Sequence, residues 1–159
     1  MTRFRSALGL VALAVVCFAA AGVGGALMSR TPPDWYPSLQ KPDWTPPGWV
    51  FGPVWTVLYL TMAAAAWLVW RRGGLREARL PLGLFGLQLA LNAAWPGLFF
   101  GLRMPGPAFV ELCALWCVLL ATVIAFFRES RAAGLLLVPY LAWGTFAGAL
   151  NLAIWRMNA

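Results

Sequence analysis

Polar and aromatic side chains recur on shared faces of otherwise apolar segments of this sequence. Gln88 and Asn92 are four residues apart with Trp95 about one turn further on, and Asn151 stands two turns after Trp143. In a helix such spacings bring side chains onto nearly one face. Amides bond neighbouring helices or the polar atoms of a ligand, and indole rings pack against flat apolar molecules. The chemistry indicated is recognition of a flat hydrophobic ligand.

The residues needed for several other chemistries are scarce. The sequence has no histidine, the commonest general base and metal ligand, and its three cysteines all stand within apolar runs. Cys113 and Cys117 share a helix face without further ligands, so all three cysteines are interpreted as small buried residues rather than disulfide partners or zinc ligands. We therefore predict no metal site and no required cofactor, and the composition argues against hydrolytic or acid–base catalysis.

The overall composition is that of a membrane protein. Of the 159 residues, 62% are hydrophobic and 11% are charged, whereas soluble domains average about 25% charged residues. The net charge of +7 comes from basic residues at the ends of apolar runs. They are interpreted as headgroup anchors, and with no basic stripe along any element nucleic-acid binding is excluded.

Five apolar segments are long enough to cross a bilayer as helices. The predicted fold is therefore an all-α integral membrane bundle forming one domain, residues 1–159. The first segment resembles a cleavable signal peptide at its basic start, but its apolar run continues to Met28, which favours an uncleaved helix. The predicted spans are 5–28, 49–70, 80–101, 107–127 and 133–156, with a lid loop at 29–48.

Basic residues predict the orientation. Eight arginines fall on the side of the N-terminus, whereas four basic residues fall on the side of the first loop. The positive-inside rule then places the N-terminus in the cytoplasm, and helical spans favour a bacterial cytoplasmic membrane. Short connections also predict that, from the second span onward, consecutive helices are antiparallel neighbours.

The first loop is the most unusual stretch. WYPSLQKPDWTPPGWVFGPVW, residues 35–55, holds four tryptophans, one tyrosine and five prolines. Prolines stiffen the chain at low entropic cost, which favours a fixed lid over a disordered linker. Trp95 and Trp143 lie too deep in their spans to be interfacial anchors, so they are expected to line a cavity beneath this lid together with Trp55, Tyr59 and Asn92.

Some features have two interpretations. The intramembrane amides could join helices instead of contacting a ligand, and Trp70 and Trp155 are expected to be interfacial anchors. Glu111, the one acid within a span, is interpreted as an interfacial acid near a helix start, with a ligand role as the alternative. Small residues on the third span, including Gly97-x-x-x-Gly101, favour that helix as the seam of a homodimer.

Three stretches together resemble the TspO/translocator protein family, which includes bacterial tryptophan-rich sensory proteins and the mitochondrial benzodiazepine-binding translocator. They are WYPSLQKPDWTPPGWVFGPVWTVLY at 35–59, QLALNAAW at 88–95 and VPYLAWGTFAGALN at 138–151. The resemblance covers nearly the whole chain and is most specific in the loop. It implies a five-helix bundle, commonly a homodimer, with a ligand pocket on the side of that loop.

The resemblance also implies ligands and pocket residues. Members bind porphyrins such as protoporphyrin IX and haem, and many bind sterol or isoquinoline and benzodiazepine-type drugs. Because the sequence lacks histidine, haem recognition would depend on the macrocycle and its propionates, for which Lys41 and Arg30 are candidates if they are not merely solvated. The implied ligand-binding residues are Trp35, Tyr36, Trp44, Phe51, Trp55, Tyr59, Asn92, Trp95, Trp143, Ala147, Leu150 and Asn151.

The function that the resemblance implies is a membrane receptor or regulator for porphyrins and similar flat ligands. Some relatives degrade protoporphyrin IX in light, and the residues implicated match Trp55 and Trp143. A light- and oxygen-dependent porphyrin-degrading enzyme and a porphyrin or sterol transporter are therefore the alternatives, and family analogy leaves the outer membrane as an alternative location. Leu152 replaces the tyrosine of the family's sterol motif, which predicts weak sterol binding.

Overall fold

Five long helices make up most of the protein. The computed structural model describes residues 3–159; residues 1 and 2 of the predicted domain lie outside the described residues. The long helices are α1 (Arg3–Met28), α3 (Phe51–Glu77), α4 (Arg79–Pro96), α5 (Pro105–Glu129) and α6 (Arg131–Met157), and a short helix, α2 (Trp35–Ser38), lies in the first loop. Each long helix has the length and hydropathy of a membrane span. The predicted fold, an all-α integral membrane protein with five spans, is confirmed.

Helix α3 is longer than its predicted span. It runs past residue 70 to Glu77 and is interrupted at Gly74, whose φ of 66° is non-helical. Only glycine adopts this left-handed conformation without a steric penalty. Hydropathy predicts only the apolar part of a helix, which crosses the bilayer. It does not show that the helix continues through the arginines that follow.

The third span changes its helical form at a proline. Beyond Pro96 the chain continues as a π-helical stretch, Gly97–Gly101, in which the Leu102 N–H donates to the Gly97 carbonyl at 2.8 Å. Proline has no N–H to donate to the carbonyl four residues earlier, and a wider turn accommodates that loss. Phe99 within this stretch is buried and stacks on Trp95.

The helices form a closed ring in the order α1, α3, α6, α5, α4. The predicted pairings of the third with the fourth span and of the fourth with the fifth are confirmed. The second and third spans, α3 and α4, also contact each other as predicted, but more weakly, because α1 packs against both and lies between them in the ring order. The short α3–α4 connection fixes only the ends that it joins.

The small residues of the third span lie on two different faces of the helix. A Cβ added at Gly97 would lie 3.0 Å from the Leu27 side chain of α1, and one at Gly101 would lie 3.3 Å from the Leu27 carbonyl. These two glycines bring α4 close to α1 within one chain, and the homodimer seam predicted on this span stays a prediction for its other small residues. A second set remains exposed on the outer face of α4: Gly83, Gly86, Ala90 and Ala94.

The cysteines do not share one environment. Cys17 is fully buried in the main hydrophobic core of the bundle. Cys113 and Cys117 are exposed on the outer face of α5, so their predicted burial is wrong. An apolar outer face is tolerated here because the surrounding lipid is itself apolar.

Candidate ligand-binding cavity

A cavity of about 510 Å³ occupies the half of the ring nearest the first loop. All five long helices and the loop contribute to its wall, and among residues 3–159 no charged side chain lines it. Ten of the twelve sequence-predicted pocket residues lie on this wall: Tyr36, Phe51, Trp55, Tyr59, Asn92, Trp95, Trp143, Ala147, Leu150 and Asn151.

The two remaining predicted residues lie behind the wall. Trp35 packs edge-on against Phe99, with ring centroids 5.8 Å apart. Trp44 packs edge-on against Phe146 at 5.8 Å and is 51% exposed. These ring contacts hold the loop against the bundle, and neither ring lines the cavity.

A buried hydrogen-bonded chain crosses the bottom of the cavity. The Tyr59 hydroxyl donates to Asn92 Oδ1 at 2.5 Å, and Asn92 Nδ2 donates to the Tyr140 hydroxyl at 2.6 Å. These bonds join α3, α4 and α6 where all three side chains are buried. Tyr140 was not predicted, although it shares the helical stripe of Ala147 and Asn151, spaced seven and eleven residues later.

Asn151 makes a second junction. The Trp95 indole N–H donates to Asn151 Oδ1 at 3.1 Å, and Asn151 Nδ2 donates to the Pro105 carbonyl at 2.8 Å. The side chain thus joins α6 to α4 and to the start of α5. Asn92 and Asn151 therefore both join helices, as one interpretation of the intramembrane amides expected. Both also border the cavity.

Several residues that line the cavity were not predicted from the sequence, among them Phe99, Phe100 and Trp116. Phe99 stacks on Trp95 with centroids 5.0 Å apart, and Phe100 packs edge-on against Phe99 at 4.8 Å. Both belong to the π-helical stretch beyond Pro96, and Phe99 follows Trp95 by four residues, a spacing that could have placed it on this face. The Trp116 N–H donates to the Thr145 hydroxyl at 2.9 Å, which holds that ring at the α5–α6 seam.

The roof of the cavity is held by Lys41. Its ammonium donates to the carbonyls of Tyr36, Pro37 and Leu39 at 2.7, 3.2 and 2.7 Å and lies 4.9 Å from the centre of the Tyr36 ring. Burial raises the pKa of the Tyr36 hydroxyl above its ordinary value, which keeps this loop side chain neutral. Lys41, a candidate partner for a propionate in the sequence analysis, is therefore already bound to carbonyls of the loop.

The roof is also fastened to the C-terminus. The Gln40 N–H donates to Asn158 Oδ1 at 2.9 Å, and Asn158 Nδ2 donates to the Gln40 carbonyl at 2.9 Å. One amide side chain thus satisfies both backbone groups of a residue 118 positions away. We call this reciprocal pair the Gln40–Asn158 clasp.

Comparisons with known proteins agree with this architecture. The family model described as the TspO/MBR family matches residues 12–156. The chain belongs to the TspO/MBR family. Its curated relatives include the human (Homo sapiens) translocator protein, 50% identical over 126 residues, which are 78% of this chain and 75% of the human one.

Bacterial members of the TspO/MBR family match over more of the chain. The tryptophan-rich protein TspO of Chlorobaculum tepidum is 40% identical over 153 residues, covering 93% of this chain and 95% of its own. The tryptophan-rich sensory protein of Cereibacter sphaeroides is 41% identical over 134 residues, covering 84% and 82%. Membership supports a receptor or regulator role in a membrane.

The structure also shows where three residues interpreted as interfacial lie in this TspO/MBR family protein: Trp155, Trp70 and Glu111. Trp155 is partly exposed near the loop-side end of α6, where it packs against Phe109 with centroids 6.1 Å apart. Trp70 lies at the opposite end of the ring, against Gly9. Glu111 lies near the start of α5, as expected. Both of its carboxylate oxygens are buried without a hydrogen-bond partner in the described chain, and the side chain does not line the cavity.

The Gln40–Asn158 clasp yields a prediction for this TspO/MBR family protein. Replacing Asn158 with alanine should speed hydrogen–deuterium exchange of the Gln40 amide by about tenfold or more, because the amide loses its acceptor. Exchange in α3 should be unchanged. Asn158→Asp is the matched control, since it keeps an acceptor oxygen and should retain part of the protection. Equal exchange in all three proteins would contradict the clasp.

Proposed function

We propose that this protein is a membrane receptor or regulator that binds porphyrins, protoporphyrin IX and haem among them, in the cavity beneath the first loop. The observation that carries the proposal is a cavity of about 510 Å³ lined by aromatic rings and free of charged side chains in the described chain. Ligand pockets of about 300–1,000 Å³ with apolar walls and a few polar groups suit drug-sized flat molecules. Sequence similarity to tryptophan-rich sensory proteins supports the same conclusion.

The propionates of such a ligand require a place outside the cavity. An ionised carboxylate is strongly disfavoured in an apolar space without a cation, and Lys41 is already engaged by three carbonyls. Arg30 is exposed just beyond α1, two residues after Met28, which lines the cavity. We therefore assign the propionates to the cavity mouth, near Arg30.

This assignment makes a prediction for Arg30→Gln. Its affinity for protoporphyrin IX should fall by about threefold to fivefold, since an exposed ion pair contributes up to about 1 kcal/mol. Affinity for the dimethyl ester should be unchanged because the ester has no carboxylate. Titrations followed by the porphyrin absorption band measure both. Arg103→Gln, at another exposed loop-side arginine, is the control, and equal losses with both porphyrins would contradict the assignment.

The test of the proposed function itself is fluorescence quenching of the purified protein by protoporphyrin IX in the dark. Tryptophans surround the cavity on several helices, so occupancy should quench their emission. Saturable quenching with a dissociation constant near or below the micromolar range is expected. Quenching that stays linear up to the solubility of the porphyrin would overturn the proposal and leave sterol or drug-like lipids as the ligands to test.

Light-dependent porphyrin oxidation is a second candidate function. The Trp55 ring lies 5.7 Å from Tyr59 and 6.0 Å from Tyr140, measured between centroids, so oxidisable rings adjoin one another on the cavity wall. Illumination in the presence of oxygen should then yield a defined product. The enzyme interpretation requires that Trp143→Phe lose this product while it still binds porphyrin in the dark.

Two further ligand classes follow from the family. Benzodiazepine-type and isoquinoline drugs are flat and apolar, and we propose that they compete with porphyrin for the same cavity. Sterol is proposed as a weaker ligand because Leu152 replaces the motif tyrosine. The proposed location is a bacterial cytoplasmic membrane with the N-terminus inside, a proposal that rests on the distribution of basic residues.

We also propose a homodimer through the outer face of α4. Gly83 and Gly86 are exposed there, and a Cβ added at either would meet nothing within 4 Å. Small residues on a lipid-facing helix permit close approach of a second helix. Gly86→Leu should convert the dimer to a monomer in detergent, as measured by light scattering. Ala142→Leu, on the exposed face of α6, should not.

A further inference from the structure

The seam between α1 and α3 is closed in the half of the ring away from the loop. There the Trp67 N–H donates to the Ser6 carbonyl at 2.8 Å, and a Cβ added at Gly9 would overlap the Trp70 ring. The two helices are therefore in direct contact in this half.

The same seam is open beside the cavity. A Cβ added at Gly22 or Gly25 of α1, or at Gly52 of α3, would meet no atom within 4 Å. Gly25 and Thr56 line the cavity and are exposed at the same time. Two other α1 side chains both line the cavity and are exposed: Phe18 is 40% exposed and Met28 is 49% exposed. Residues that border the cavity and are also exposed mark a gap in its wall.

The roof, in contrast, is fastened at several points. Lys41 binds three loop carbonyls, and the Gln40–Asn158 clasp ties the loop to the C-terminus. Trp35 and Trp44 add ring contacts to the bundle. Opening the roof would break these interactions together, whereas passage between α1 and α3 meets glycines.

We infer that ligands enter and leave the cavity laterally, from the loop-side leaflet of the bilayer, through the gap between Gly22 and Gly25 of α1 and Gly52 and Thr56 of α3. A flat apolar molecule partitions into the bilayer, so it reaches this gap at high local concentration. The inference rests on the proposed function, since it concerns the route to the same cavity. It makes the glycines of α1 determinants of the binding rate and not of the affinity.

The test is stopped-flow quenching by protoporphyrin IX with the protein in lipid nanodiscs. Gly22→Leu lies in the gap but off the cavity wall, fits the empty space and should obstruct the gap. Its association and dissociation rates should both fall by about tenfold with little change in the dissociation constant, because an obstructed route slows both directions alike. Thr56→Phe narrows the gap from α3 and should act in the same direction. Ala26→Leu adds similar bulk at an exposed neighbouring position off the cavity wall and should leave both rates unchanged.

The possible outcomes distinguish a failure of the lateral route from a failure of the proposed function. An unchanged association rate in Gly22→Leu would overturn the lateral route, whatever happens to the dissociation rate. Faster association in Asn158→Ala would also overturn it, in favour of the roof. Absence of saturable quenching in the unaltered protein would instead sink the proposed function.

Discussion

Replacing Asn92 with leucine should destabilise the folded protein by about 2–5 kcal/mol, because a buried polar group left without its partner loses about 1–3 kcal/mol. Asn92 is 4% exposed and bonds the hydroxyls of Tyr59 and Tyr140. Leucine has a similar volume, but it leaves two phenol groups unpaired at the bottom of the cavity. The measurement is thermal or denaturant-induced unfolding in detergent, followed by circular dichroism.

Gln88 provides a matched control for this prediction one turn earlier on the same helix. It is fully buried, yet its Oε1 has no partner in the described chain, and its Nε2 reaches only the Met62 sulfur at 3.8 Å. Gln88→Leu should therefore be neutral or stabilising, since it removes an unsatisfied group. Equal destabilisation by the two substitutions would show that packing volume, and not the hydrogen-bonded chain, holds α3, α4 and α6 together.

Replacing Trp143 with alanine should weaken protoporphyrin IX binding by about tenfold to a hundredfold, the range for loss of one large buried aromatic contact. Trp143 lines the cavity, and its ring lies 5.8 Å from Phe51 and 5.2 Å from Phe146. Its loss removes ligand contact area and the support of the Phe51 ring. Because the substitution also removes an emitting tryptophan, the titration should follow the porphyrin absorption band.

Trp49 is the matched control for Trp143. It stands at the loop-side start of the second span but is 76% exposed and is absent from the cavity wall. Trp49→Ala should therefore bind porphyrin like the unaltered protein. If Trp143→Ala bound with unchanged affinity, Trp143 would be removed from the site. If Trp49→Ala lost as much affinity, the site would lie on the outer surface of the roof.

The wall of the cavity was predictable wherever the helices are regular. Tyr59 follows Trp55 by four residues, and Asn151 follows Ala147 by the same interval, so each pair shares a helix face. These four residues line the cavity. Phe99 follows Trp95 by the same interval and lines the cavity beside it, so the same spacing rule could have located it although it was not predicted.

The loop shows the limit of prediction from residue types. Aromatic and basic side chains marked it as a lid, but residue types alone could not show which side chains face inward. Tyr36 lines the cavity, whereas its neighbour Trp35 packs behind the wall. Lys41, a plausible partner for an anionic group, is satisfied by backbone carbonyls that the loop itself brings together.

The sequence by itself determined the membrane class, the five spans and the amide and aromatic faces of regular helices. These features depend on local hydrophobic length and helical spacing, which the chain carries in each segment. Only the tertiary structure decided the ring order, the burial of Cys17 against the exposure of Cys113, and the gap between α1 and α3. The physical reason is that lipid is as apolar as the protein interior, so hydrophobicity does not distinguish the inner face of a membrane helix from its outer face.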